Sequence, residues 1–232
     1  MDKVKIKGVE VFPFTSVDEL IEHADRNKGI LVAVNADKVI WATDETREII
    51  NNNIGYCDGA GAVLALKKKG ADGAVRIAGC DLWLEIIKKL HASHSFYLIG
   101  ARKDIHDEVI DKLRREFPGI NIVGHRDGYI AGPEERAALI DDVAAKKPDV
   151  VFVAMGSPKQ ELLMHDMMAR HKAIYQGLGG SFDVYSGHQS RAPKWWRDHN
   201  LEFLYRLMIR PKRIKHDIYK FKFAWWLFTG NY

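Results

Sequence analysis

The stretch DVVFVAMG at residues 149–156 decides the fold, together with the two runs that follow it, SPKQELLMHDMMARH at 157–171 and AIYQGLGG at 173–180. The first run is almost wholly apolar, which is typical of a strand covered on both faces of a sheet. The second predicts a helix over residues 158–171, and the third predicts a strand that ends in a glycine turn. Strand, helix and strand in this order indicate a parallel β–α–β unit.

The same alternation continues toward the start of the chain. Strands are predicted at 29–35, 54–58, 96–100 and 120–124, and helices at 61–69, 80–90, 104–117 and 133–147, with a further helical stretch up to residue 50. Asp81 is a candidate N-cap for the second of these helices. The opening MDKVKIKGVEVF alternates charged and apolar residues and predicts one more strand. The whole pattern predicts an α/β fold, with a doubly wound, mostly parallel, Rossmann-like sheet.

Composition indicates the class of protein and its cellular compartment. The 232 residues are 47% hydrophobic and 28% charged, close to the averages for globular proteins. Two cysteines, Cys57 and Cys80, do not form a disulfide framework and favour a reducing compartment. No segment has the roughly 20 apolar residues needed to span a bilayer, and the first residues lack a secretion signal. We therefore expect a cytoplasmic protein.

The last 42 residues differ from the rest. Residues 191–232 carry ten Lys or Arg against three acidic residues, a net charge of +7, whereas the remainder is −3. They also hold four of the six tryptophans. We expect an α/β core at 1–190 and a basic, aromatic, helical appendage at 191–232, with an anionic partner surface such as phospholipid or nucleic acid.

The appendage has a helical stripe. Ile214, Ile218, Phe221, Trp225 and Phe228 recur at spacings of four and three, with basic residues along both flanks. This arrangement is typical of a helix lying in a membrane interface, and a helix docked on its own domain or on a second subunit gives the same pattern. The predicted membrane-contacting residues are Lys215, Lys220, Phe221, Lys222, Trp225, Trp226 and Phe228.

The candidate site residues are sought at the strand ends, because ligands of open α/β sheets bind beyond the carboxyl ends of the strands. Four such ends carry polar or glycine residues: Asn35, Asp58, Gly156 with Lys159 and Gln160, and Gly179 and Gly180 with Asp183. Asp58 is the best candidate for a general base, since an aspartate before a glycine is held rigidly yet leaves room for a substrate. The alternative is that Asp58 caps the helix that follows it.

Phosphate and metal signals are weaker. GSPKQE places N–H groups and a lysine where a phosphate could bind, and Arg76 could neutralise its charge, although a surface salt bridge is the commoner use of such an arginine. The sequence contains no Walker A motif and no G-x-G-x-x-G after a strand. Its ten histidines show no metal-ligand spacing with the cysteines, so we expect neither a metal nor a cofactor.

Six motifs in register carry a family resemblance. They are YCDG, VRIAGCDLW, IVGHRDGY, VAMGSPKQE, GLGGSFDVYSGHQSRAPKWW and LEFLYRLMIRPKRIK. Together they resemble the WecG/TagA/CpsF family of bacterial glycosyltransferases from about residue 29 to residue 232. The resemblance implies transfer of N-acetyl-D-mannosaminuronic acid, with inversion, from UDP to undecaprenyl-diphosphate-linked N-acetylglucosamine. This reaction belongs to the synthesis of enterobacterial common antigen, at the inner face of the cytoplasmic membrane.

The resemblance also assigns roles to residues. It makes Asp58 the base that deprotonates the acceptor hydroxyl, and makes Arg76 and Gln160 substrate-contacting residues, with Gln160 counted beside Asp58 in the catalytic centre. Arg206, Arg210 and Arg213 match arginines implicated in closing over the donor's diphosphate. Many glycosyltransferases hold a metal ion with a D-x-D motif, which this sequence lacks. The resemblance likewise implies an enzyme that needs no metal. The remaining predicted substrate-binding residues are Asn35, Lys38, Asp81, Gly156, Lys159, Gly179, Gly180 and Asp183.

One departure concerns the donor. The mannosamine-transferring branch of the family typically carries a threonine where this chain has Ala33. We hypothesise that Lys38 accepts a donor that carries a carboxylate; the alternative is a lysine on a solvated helix turn. Other functions left open are transfer from another donor such as UDP-N-acetylmannosamine, a nucleic-acid-binding module, and an oligomer interface built by the tail.

Overall fold

The computed structural model describes residues 1–193, 195, 196, 205, 208, 223, 225, 226 and 229. In this part of the chain, six parallel strands form one sheet in the order β4-β3-β8-β7-β5-β6, which confirms the predicted α/β class. These strands are β3 Gly29–Val34, β4 Ile54–Cys57, β5 Ser95–Gly100, β6 Asn121–Arg126, β7 Val150–Ala154 and β8 Ile174–Gly177, preceded by β1 Val4–Ile6 and β2 Val9–Val11.

Helices cover both faces of the sheet, as a doubly wound fold requires. They are α1 Val17–Asn27, α2 Ala36–Trp41, α3 Asp44–Asn51, α4 Ala60–Lys68, α5 Gly79–Leu90, α6 Lys103–Glu116, α7 Pro133–Lys146, α8 Lys159–Arg170 and α9 Ser181–Ser186. Strand β7 shows why its sequence is continuously apolar: Val151 and Val153 pack into one core, while Val150 and Phe152 pack into the other. Helices α2, α3, α4, α7 and α8 complete the first core, and α1, α5, α6 and α9 complete the second.

The N-terminal region differs from the prediction. In place of one strand, residues 4–11 form an antiparallel hairpin of β1 and β2. Lys7 and Gly8 make the turn with φ of +47° and +85°, the left-handed conformation that hairpin turns require. Helix α1, which we did not predict, begins at Val17. Its N-cap is Ser16, whose side chain accepts a hydrogen bond from the backbone N–H of Glu19. This is half of a capping box and a readable signal for a helix start.

The connections diverge around the end of β8. Helices α2 and α8, which follow β3 and β7, pack on one face of the sheet, whereas α9, which follows β8, packs with α6 on the other. In open α/β sheets such divergence leaves a crevice at the carboxyl ends of the strands. The end of β8 and its neighbours is therefore where this fold class leads us to expect a ligand.

Candidate active site

The four predicted strand ends lie side by side. Asp58, Asn35, Gly179 and Gly156 follow β4, β3, β8 and β7, and these are four consecutive strands of the sheet. Asp58 is tied to its neighbour, because its backbone N–H donates to the carbonyl oxygen of Val34 at 3.0 Å. The chain thus gathers residues more than 120 positions apart along one edge.

Asp58 is half-buried and lies against the start of α5. Its Oδ1 accepts a hydrogen bond of 3.0 Å from the backbone N–H of Gly79, the first residue of that helix. The alternative that Asp58 caps α4 is wrong, since Gly59 is the N-cap of α4 and makes no side-chain bond. The positive end of the α5 dipole favours an ionised carboxylate at this position.

Arg76 reaches the same place. Its Nε donates to the backbone oxygen of Asp58 at 3.0 Å, and its side chain is half-buried. The segment before α5 is fixed beside β4 because the backbone N–H of Ile77 donates to Cys57 O at 2.8 Å. The Arg76 guanidinium is therefore bonded to the backbone of Asp58 at the end of β4, so two residues that the sequence singled out in separate motifs lie together.

The two side chains that precede Asp58 in β4, those of Tyr56 and Cys57, are uncharged at neutral pH. Burial, and then the charge of Asp58, raise the pKa of the Cys57 thiol to about 12. The same two causes raise the pKa of the Tyr56 phenol well above its ordinary value. Tyr56 Oη lies so close to Gly79 that a Cβ on the glycine would meet it at 2.8 Å. Neither Cys57 nor Tyr56 is suited to act as a nucleophile at neutral pH.

Asn35 and Lys38 belong to the first turn of α2. Asn35 is its N-cap, with Oδ1 accepting from the backbone N–H of Lys38 at 3.1 Å. The Lys38 ammonium donates to Glu161 Oε1 at 2.6 Å and to Ser157 Oγ at 3.2 Å. Only 19% of the Lys38 side chain is exposed. The alternative of a solvated lysine is therefore wrong, and a role in donor binding stays a prediction.

Gln160 joins the ends of β7 and β8. Its side chain is buried, and its Oε1 accepts from the backbone N–H groups of Gly156 at 3.2 Å and Gly179 at 2.9 Å. The prediction that GSPKQE offers unpaired N–H groups is wrong for Gly156, because Gln160 uses that donor. Gly179 has φ +56°, which favours glycine in the turn after β8. Gln160 acts on the shape of both turns, and contact with substrate remains a prediction for it.

The other predicted residues are placed as follows. Lys159 is exposed at the start of α8, Gly180 is the exposed N-cap of α9, and Asp183 is half-buried within α9. The prediction that Asp81 is the N-cap of α5 is wrong, because Ala78 occupies that position. The Asp81 carboxylate pairs with both terminal nitrogens of Arg191, the second of these contacts at 3.0 Å. Arg191 was counted only in the net charge of the appendage, and its ion pair with Asp81 was not predicted from the sequence.

The appendage is described at a few positions. Phe223 is buried in the core shared with β1 and β2, and Trp226 packs beside it with the Lys7 ammonium 4.8 Å from its ring. Trp225, in contrast, is 65% exposed. Part of the tail thus docks on the body, which was one of the alternatives. Eight predicted residues lie outside the described part of the chain: Arg206, Arg210, Arg213, Lys215, Lys220, Phe221, Lys222 and Phe228.

A second polar site lies at the end of β6. A depression of about 290 Å³ is lined by Lys103, His106, Asp107, His125, Arg126 and Asp127, none of which was predicted. His106 is buried, with Nδ1 3.0 Å from Gly100 O and Nε2 3.2 Å from His125 Nδ1. Since a carbonyl only accepts, Nδ1 of His106 carries its proton. Burial lowers the pKa of both imidazoles.

Two features are absent from the described part of the chain. No group of three or more His, Cys, Asp or Glu in this part of the chain is arranged to hold a metal ion. No helix in it is both long enough and apolar enough to cross a bilayer.

Comparison with known families adds one finding. A family model described as "Glycosyl transferase WecG/TagA/CpsF family" matches residues 4–231, nearly the whole chain. The match includes the hairpin, the six strand ends and the appendage.

Proposed function

The chain belongs to the WecG/TagA/CpsF family of glycosyltransferases, and from that premise we propose the donor, the acceptor and the mechanism. The donor is UDP-N-acetyl-D-mannosaminuronic acid, and the acceptor is undecaprenyl-diphosphate-linked N-acetylglucosamine. The hydroxyl oxygen of the acceptor attacks the anomeric carbon from the face opposite UDP. The bond from that carbon to the UDP oxygen breaks, so the configuration inverts, and the hydroxyl proton passes to Asp58.

The observation that supports this mechanism best is the position of Asp58. The half-exposed Asp58 carboxylate lies at the end of β4, where the backbone N–H of Gly79 orients it. The Arg76 guanidinium donates to the backbone oxygen of the same residue. A general base needs reach to the substrate and a fixed orientation. Arg76 supplies positive charge for the departing diphosphate, and we propose that Arg206, Arg210 and Arg213 of the appendage add to it.

Asp58→Asn tests the base. Asparagine keeps an oxygen that can accept from Gly79, so we expect an unchanged fold and retained UDP binding. Loss of the proton acceptor is expected to lower kcat about 10²- to 10⁴-fold. The assay uses full-length protein, a lipid-linked N-acetylglucosamine analogue and a panel of UDP-sugars, with and without chelator. Wild-type turnover by Asp58→Asn would remove Asp58 as the base.

We propose that the enzyme works at the inner face of the cytoplasmic membrane. Its acceptor carries a polyprenyl chain and stays in the bilayer, so the enzyme must come to it. The +7 charge of residues 191–232 and the exposed indole of Trp225 suit an anionic lipid surface. We expect salt-sensitive cosedimentation with anionic vesicles. Binding to single-stranded DNA without binding to vesicles would favour the nucleic-acid alternative.

A further inference from the structure

Glu161 is a buried carboxylate to which the sequence analysis assigned no role. It is the third residue of α8 and only 4% exposed. Its Oε1 accepts from the Lys38 ammonium at 2.6 Å and from Gln160 Nε2 at 3.2 Å. Its Oε2 is buried and has no hydrogen-bond partner among the described residues. Burying a carboxylate is unfavourable because the charge loses its hydration, so the position of Glu161 calls for an explanation.

Glu161 connects two residues that reach the edge of the site. Through Lys38 it holds the first turn of α2, which follows β3. Through Gln160 it holds the carboxamide that organises the turns after β7 and β8. One side chain therefore couples the ends of three adjacent strands, β3, β8 and β7.

Lys38 retains a donor for a ligand. An ammonium has three N–H groups, and among the described residues those of Lys38 serve Glu161 and Ser157, which leaves one. The side chain is 19% exposed, so the ammonium is not sealed from the site edge. If Lys38 moved away, the Glu161 charge would remain buried and unpaired, which is strongly unfavourable. Lys38 is therefore held in one position before any donor arrives.

We propose that Glu161 is a positioning residue of the transfer site: it fixes the Lys38 ammonium so that its remaining N–H meets the carboxylate of an acidic sugar donor. The inference rests on the proposed function and extends it to a residue that does not touch the substrate. Glu161 acts through its charge on Lys38, and a well-held ammonium discriminates better than a mobile one because less freedom is lost on binding.

The test is a double-mutant cycle on donor preference. The measured quantity is the ratio of kcat/KM for UDP-N-acetylmannosaminuronic acid to kcat/KM for UDP-N-acetylmannosamine. Four full-length proteins are compared: wild type, Lys38→Met, Glu161→Gln and the double variant. Glu85→Gln is the matched control, since Glu85 pairs with Lys88 at the same 2.6 Å but 44% exposed on α5.

We expect Lys38→Met to lower the preference about 10- to 100-fold, the range for losing a hydrogen bond between charged groups. Glu161→Gln should lower it about tenfold and should have no further effect in the Lys38→Met background, because it acts through Lys38. Glu85→Gln should leave the ratio unchanged. A general loss of folded protein would reduce both kcat/KM values alike and would not move the ratio.

Two results overturn the inference while leaving the proposed function standing: an unchanged preference in Glu161→Gln, or effects that add in the double variant. A wild type that transfers no sugar, or that does not prefer the acidic donor, removes the proposed function and the inference with it. If Glu161→Gln fails to fold, Glu161→Asp replaces it. Aspartate keeps the charge but is one methylene shorter, and an unchanged preference there also counts against the inference.

Discussion

Removing Lys38 should destabilise the protein far more than removing a lysine from a surface pair. Lys38→Met takes away the ammonium 2.6 Å from Glu161 and leaves that carboxylate in the interior, at 4% exposure. Breaking one half of a buried ion pair costs about 3–5 kcal/mol. Since 19% of the Lys38 side chain is exposed, some water reaches the pair, and we expect a loss near the lower end, about 3 kcal/mol.

Melting and urea unfolding measure this loss. For a chain of this size, 1 kcal/mol corresponds to about 2–4 °C in Tm, so Lys38→Met should melt about 6–12 °C below wild type. Adding Glu161→Gln removes the stranded charge, and the double variant should return to within about 1 kcal/mol of wild type. Lys88→Met breaks an exposed pair of equal length, and we expect a loss of at most about 1 kcal/mol.

Recovery in the double variant is the decisive feature. A double variant as unstable as Lys38→Met would mean that the lysine contributes by packing rather than by compensating a buried charge. A Lys38→Met protein that melts within 2 °C of wild type would refute the burial of the pair itself.

Three further outcomes are expected. Gly177→Ala should cost about 1–3 kcal/mol in urea unfolding, because its Cβ would stand 2.3 Å from Nε2 of Gln160; unchanged stability would show that Gln160 is free to move. Trp225→Ala should weaken vesicle cosedimentation, whereas Trp226→Ala should chiefly speed proteolysis of the tail; equal effects on vesicle binding would argue against the different exposure of the two rings. Burial lowers the pKa of His106, so the unfolded chain takes up a proton first and stability should fall as pH drops below about 6.5. His106→Gln should reduce that slope, and an identical slope would exclude its contribution.

Much of the fold was predictable because the signals are local. Strand β7 is apolar at every position since both of its faces pack against helices, and that pattern needs no knowledge of its neighbours. The hairpin at residues 4–11 was mistaken for one strand because a turn at Lys7 and Gly8 interrupts the alternation of side chains by only two residues. Helix α1 was missed although Ser16 and Glu19 mark its start.

The site was predictable only in part, for a physical reason. Strand ends follow from periodicity, so Asp58 and Asn35 could be placed on one edge of the sheet in advance. Which charged side chains are buried does not follow from periodicity. Glu161, in the first turn of a helix, has the sequence context of an ordinary solvated acid, and its partner Lys38 is 123 residues away.

Environment separates the two carboxylates into different tasks. Glu161 is 4% exposed and bonded to an ammonium, so a sugar hydroxyl cannot reach it and protonation would break an ion pair. Asp58 is half-exposed at the end of β4, and a backbone N–H at the start of α5 orients it. A proton acceptor must meet the hydroxyl that it deprotonates, whereas an anchor works best where water is excluded. The two carboxylates lie at opposite ends of the four adjacent strand termini. For Glu161 to act as the base, the ends of β3, β8 and β7 would have to separate until a sugar hydroxyl could reach its carboxylate. The ion pair with Lys38 and the hydrogen bonds of Gln160 oppose that separation.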